Sequence, residues 1–101
     1  MKKFQQGDVI LKSVISIPKG GTLKKDLILA EGERTGHTHK IVSGQVQLIL
    51  LQAAMYLRVI SETAKLIHNE HEEISIPKGD YEVTIVREFD PFEEEIRTVQ
   101  D

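Results

Sequence analysis

Short runs rich in β-branched and aliphatic residues, cut every few positions by Gly, Pro, Asp or Asn, limit how this chain can fold. Such runs, bounded by turn residues at close spacing, are the pattern of an all-β domain. Asp8-Val9-Ile10-Leu11-Lys12-Ser13-Val14 reads as a first strand, and Pro18-Lys19-Gly20-Gly21 as a turn beyond it. Leu27-Ile28-Leu29-Ala30 and His39-Lys40-Ile41-Val42 read as further strands, the second ended by Ser43-Gly44. Residues 45–59 admit two readings. Gln52-Ala53-Ala54-Met55 contains good helix formers, which allows a helix over 46–58. Two strands, Val46-Gln47-Leu48-Ile49-Leu50-Leu51 and Tyr56-Leu57-Arg58-Val59-Ile60, fit better, because β-branched and aromatic residues flank a short connection.

Farther on, Ala64, Leu66 and His68 alternate onto one strand face. Ile74-Ser75-Ile76 and Tyr81-Glu82-Val83-Thr84-Ile85-Val86 read as a hairpin closed by a type I turn at Pro77-Lys78-Gly79. Asp90-Pro91 is a helix-start signal, and Phe92, Ile96 and Val99 follow at helical spacing. Glu93-Glu94-Glu95 suits the positive end of that short helix and reads as a solvated face. The hexapeptide Ile15-Ser16-Ile17-Pro18-Lys19-Gly20 recurs as Ile74-Ser75-Ile76-Pro77-Lys78-Gly79, and the match ends there. Two hairpins meeting the same turn requirement explain it more simply than a duplicated half-barrel.

The expectation is one β-rich domain over 1–101, a small antiparallel barrel or sandwich with a short C-terminal helix. Its edge strands must be covered or paired, which makes a homodimer an expectation too. With 40% hydrophobic residues, no Trp and few Tyr or Phe, the core must be built from Ile, Val and Leu. A net charge of −3 argues against a protein whose main task is neutralising a phosphate backbone. No apolar run approaches the roughly 18–20 residues of a membrane span. The N-terminus lacks the apolar stretch of a signal peptide. The absence of Cys excludes disulfides, thiolate ligands and a Cys nucleophile, and fits a cytoplasmic or host-intracellular protein. High Ile, Lys and Glu with a single Asn lean toward a thermophile.

All four histidines fall in two clusters, His37-Thr38-His39 and His68-Asn69-Glu70-His71. On a strand, the i, i+2 spacing of His37 and His39 puts both rings on one face, roughly 6.5–7 Å apart at the backbone. Neutral imidazole is the commonest metal ligand, and three protein ligands with one open position make a reactive centre. His37, His39, His68 and His71 are therefore the candidate ligands for a divalent ion such as Zn²⁺, Mn²⁺ or Ni²⁺. His68 follows the apolar face of Ala64 and Leu66 and is expected to point inward, with His71 more exposed. The two share a site only if Asn69-Glu70 turns tightly. The competing reading is four polar residues near strand ends, hydrogen-bonded to backbone or carboxylates. The His-Glu-x-x-His metalloprotease motif, the nucleophile elbow, the P-loop and the dinucleotide fingerprint are all missing, and zinc deaminases require Cys ligands.

Gly36-His37-Thr38-His39, followed by Ile76-Pro77-Lys78-Gly79-Asp80, partly resembles the two motifs of the cupins, small β-barrels that often hold a metal. The resemblance covers only His37 and His39. The acid that cupins place shortly after His-x-His is missing from residues 40–44, and Tyr81 stands where their last His is expected. Over nearly the whole chain, Gly7-Asp8-Val9, Glu31-Gly32-Glu33, Thr35-Gly36-His37-Thr38-His39, His68-Asn69-Glu70-His71, Ile76-Pro77-Lys78-Gly79-Asp80-Tyr81-Glu82-Val83 and Arg87-Glu88-Phe89-Asp90 resemble small uncharacterised prokaryotic and mobile-element proteins, archaeal or viral in type. That resemblance implies that the histidine segments belong to one unit and supplies no substrate.

Two functions follow as expectations. The favoured one is a non-enzymatic binding or assembly module carrying a clustered histidine site, with a protein or small-molecule partner or a second copy of the chain. The other is a metal-dependent small-molecule enzyme or ligand-binding protein using His37, His39 and His68, with Glu33 or Glu70 as general base and Arg34 as an anion-binding group. A nucleic-acid role comes third, since it needs the scattered lysines to gather on one face.

Overall fold

Alternation of buried and exposed side chains runs through most of the chain, and a backbone with that period is a strand. In the computed structural model, which describes residues 2–32 and 36–86, eight strands form in chain order. They are β1 (Lys3–Gln6), β2 (Val9–Val14), β3 (Thr22–Leu23), β4 (Ile28–Glu31), β5 (Thr38–Ser43), β6 (Val46–Leu51), β7 (Ala54–Ile67) and β8 (Ile74–Ile85). All pairings are antiparallel within one sheet. Its order is β1-β2-β8-β7-β5-β4, with β6 also on β7 and β3 on β6. Among the described residues no pairing joins β1 to β4, so the sheet is open. Buried residues of β2, β4, β5, β6, β7 and β8 nevertheless share one cluster, so the sheet curls around its own inner face.

The cluster is aliphatic apart from Tyr81. Val9, Leu11, Leu57, Ala64, Leu66 and Ile76 are wholly buried, and Tyr81 sends its hydroxyl to the Pro77 carbonyl at 2.6 Å. Burial of such side chains, about 25 cal/mol per Å² of apolar surface, is the main stabilising term.

Residues 45–59 are two strands and not a helix, joined at Gln52-Ala53, where Gln52 takes φ +55°. Residues 3–6, unassigned from sequence, form β1 through the two-residue hairpin loop Gly7-Asp8. Gly7 there has φ +58°, a conformation open to glycine at the first position of such a loop.

The expected hairpin around Pro77-Lys78-Gly79 does not exist. β8 runs straight through these residues along the single long strand β7: Ile76 faces Ala64, Pro77 faces Thr63 and Gly79 faces Val59. The three β7 residues between Val59 and Thr63 oppose Lys78 alone, which makes a bulge. An irregular ladder tolerates Pro because the hydrogen bond it cannot donate is already interrupted there. The same hexapeptide at residues 15–20 lies outside any strand, with Ile15 exposed and Gly20 at φ +100°. Turn chemistry therefore explains the first copy, whereas tertiary pairing overrides it in the second. The expected C-terminal helix, with Asp90 and Phe92, lies outside the described residues, as do Glu33 and Arg34. Among the described residues no helix is long and apolar enough to cross a membrane.

Candidate functional site

The inward stripe of β5 is His39 then Ile41, and that of β7 is Ala64 then Leu66 with His68 one step beyond the strand. Ile41 faces Leu66 across the ladder, so His39 and His68 arrive together at the end of the apolar core. Their ring centroids are 4.2 Å apart with planes tilted by 35°. The chain bends at Asn69-Glu70-His71, which returns His71 to within 4.6 Å of His68 and 6.0 Å of His39. His37 stands edge-on to His68 at 5.6 Å. Two clusters some thirty residues apart in sequence thus form one group of four imidazoles. Asn69 ties the segments together by accepting the Thr38 amide N–H at 3.0 Å.

His39 is the most deeply set of the four, at 4% exposure. Its Nδ1 lies 2.8 Å from Oε1 of Gln6, the buried last residue of β1. The Gln6 amide cannot be turned around, because its Nε2 donates to the carbonyls of Leu66 and Glu72, both at 2.9 Å. Oε1 is therefore the acceptor, and His39 carries a proton on Nδ1. The opposite nitrogen, Nε2, faces Oδ1 of Asp8 at 3.3 Å. His68 has the other tautomer. Its Nδ1 accepts the Glu70 amide N–H at 2.9 Å, so a neutral ring bears its proton on Nε2.

Burial first, then the neighbouring His68, holds His39 below the ordinary histidine range, with Asp8 pulling the other way. His68 is held down by burial and then by His71 and His37. Both rings therefore favour the neutral form that binds metals. His71 is exposed and packs over the backbone of Gly7: a Cβ there would lie 2.6 Å from its Nε2 and 3.3 Å from His39 Cε1. The hairpin loop thus brings Asp8 and His71 to the same edge of His39.

The structure gathers His37, His39, His68 and His71. Glu70 stands at the rim, its carboxylate 3.8 Å from His37 Nδ1 and largely exposed. Gln6 and Asp8 were not singled out by sequence reasoning. The available signal was Gly7-Asp8 as a two-residue hairpin loop, which would have extended strand pairing back to Gln6. Among the described residues, no group of three or more histidine or acidic side chains is placed so that it could hold a metal ion as the side chains stand. The arrangement offers imidazole nitrogens, the carboxylates of Asp8 and Glu70, and two rings of set tautomer at a half-open rim.

Fold and site define a small antiparallel β protein whose core is capped at one end by a histidine cluster. Residues 5–86 match the family described as a domain of unknown function (DUF8820), and the chain belongs to that family. The match spans every residue of the cluster as well as Gln6 and Asp8. No curated protein and no solved structure matches the chain.

Proposed function

We propose that this protein is a small binding module that takes up a divalent transition-metal ion at its four-histidine cluster. The observation that carries the reading is the convergence of all four imidazoles, from two separate segments, within 4.2–6.0 Å of their neighbours. Hydrogen-bonding residues at strand ends have no need to meet, whereas an ion draws its ligands from imidazoles gathered at one rim. Imidazole with carboxylate suits the later first-row divalent ions. Isothermal titration of Zn²⁺, Mn²⁺ and Ni²⁺ into chelator-stripped protein tests it. Near-stoichiometric uptake by the wild type, lost in a folded His39→Ala/His71→Ala variant, is expected. No uptake by the wild type would remove the metal reading.

The open ends of the sheet at β1 and β4 favour a second reading, in which the module also assembles by strand addition. A concentration-dependent change in mass by light scattering, abolished by a Pro in β4 at Ala30, is the corresponding test.

A further inference from the structure

Resting on that metal reading, we infer that the ion is held by His39 Nε2, His71 and Asp8, with Gln6 as the positioning residue and with His68 and His37 outside the ligand set. The starting point is a pairing that lacks a proton. Gln6 assigns the single proton of neutral His39 to Nδ1, so Nε2 presents a lone pair, and the atom facing it is a carboxylate oxygen at 3.3 Å. Two acceptors face each other there, which is unfavourable unless a cation joins them. An imidazolium would supply a proton, but charge-assisted N–H···O bonds are about 2.7–2.9 Å long, and this separation is longer. Two donors each about 2.0–2.1 Å from a tetrahedral ion lie about 3.3 Å apart, which is the separation observed.

The third donor follows from the packing. His71 lies over Gly7, next to Asp8, and no hydrogen bond among the described residues restrains its ring. Two imidazoles on one tetrahedral ion have centroids about 5 Å apart, so the 6.0 Å between His39 and His71 needs to close by about 1 Å. That movement separates the present arrangement from a finished cage, and an exposed side chain makes it readily. His68 is excluded by its hydrogen bonding: Nδ1 is occupied by the Glu70 N–H, and Nε2 carries the proton. Its place is against the flat of His39, where it shields the ring. Two imidazoles and one carboxylate leave the fourth position for water or a small anionic ligand.

The test is Zn²⁺ affinity by competition titration, with Co²⁺ absorption to report coordination number, in the full chain. Asp8→Asn keeps the shape of an exposed hairpin residue, and His68→Ala removes the shielding ring. Outer-sphere partners alone change affinity about 10–100-fold, so Asp8→Asn should weaken Zn²⁺ binding by more than about 100-fold and His68→Ala by less. Gln6→Leu, which removes the acceptor of the His39 Nδ1 proton, should fall within about 10–100-fold and release the tautomer of His39 by ¹⁵N NMR. Four-coordinate Co²⁺ bands should vanish in His71→Ala. Wild-type affinity in Asp8→Asn, with binding lost in His68→Ala, would overturn this ligand set and leave the metal reading standing. No Zn²⁺ uptake by the wild type would overturn both.

Discussion

Along β7, residues 54–59 lie between β6 and β8 and bury Leu57 and Val59 among aliphatic side chains. Residues 63–67 of the same strand lie between β5 and β8 and lead, one step past Leu66, into His68. The first half is held by aliphatic packing on its inner face and by strand pairing on both sides, with Arg58 reaching Asp80 at 3.2 Å. Beyond the second, the packing gives way to fixed hydrogen bonds: Gln6 bridges Leu66, Glu72 and His39, and Asn69 bridges to Thr38. One end thus carries stability and the other holds polar groups in a set orientation. A polar site of this kind can be made rigid because the apolar end supplies the folding free energy.

The largest effect that separates the two ends is a core truncation. Leu57→Ala, at a wholly buried position, should cost about 2–5 kcal/mol in denaturant unfolding. The tautomer of His39 should be unchanged wherever the variant is folded. Gln6→Leu comes next. It removes a buried amide that serves three partners, and should cost about 1–3 kcal/mol. Unlike the core variant, it should release the His39 tautomer. If Gln6→Leu were as stable as wild type, the hydrogen-bonded end would have no structural role. Gly7→Ala, strained at φ +58° and pressed against His71, should cost about 1 kcal/mol or more and displace that ring. The loss should appear as weakened Zn²⁺ binding beyond what the stability change explains.

Acid should distinguish the ends in metal-free protein. His39 and His68 both have folded pKa values below the ordinary 6.5, so the unfolded chain binds more protons between the two values. Their contribution is fully present above about pH 6.5 and is lost as pH falls through the folded values. The melting temperature should fall on acidification in the wild type and fall less in His68→Ala. The smallest effect is expected from Asn69→Ala, about 0.5–1.5 kcal/mol, since its bond to Thr38 is exposed.

Most of the strands were legible because a half-buried strand writes its period into the sequence. Ala64 and Leu66 fell on the expected face, and the buried Val9, Leu11, Leu48 and Leu57 lie within runs expected as strands. Pro77-Lys78-Gly79 was not legible, because local turn chemistry competes with pairing to a 14-residue strand that no local window contains. The four histidines were visible as a group from their spacing, but their meeting depended on Ile41 pairing with Leu66, a long-range contact. Asp8 and Gln6 were missed for a related reason. A polar strand such as Lys-Phe-Gln-Gln has weak periodicity, and a buried Gln is recognised only by the carbonyls it finds.

The most direct measurement is ¹⁵N-edited imidazole NMR of metal-free protein near pH 7.5, followed by addition of Zn²⁺. The account predicts a neutral His39 protonated at Nδ1, a neutral His68 protonated at Nε2, and a Zn²⁺-induced shift at Nε2 of His39. An imidazolium at His39 that stays unchanged when Zn²⁺ is added would mean that a proton, not a metal ion, joins it to Asp8, and would contradict the account.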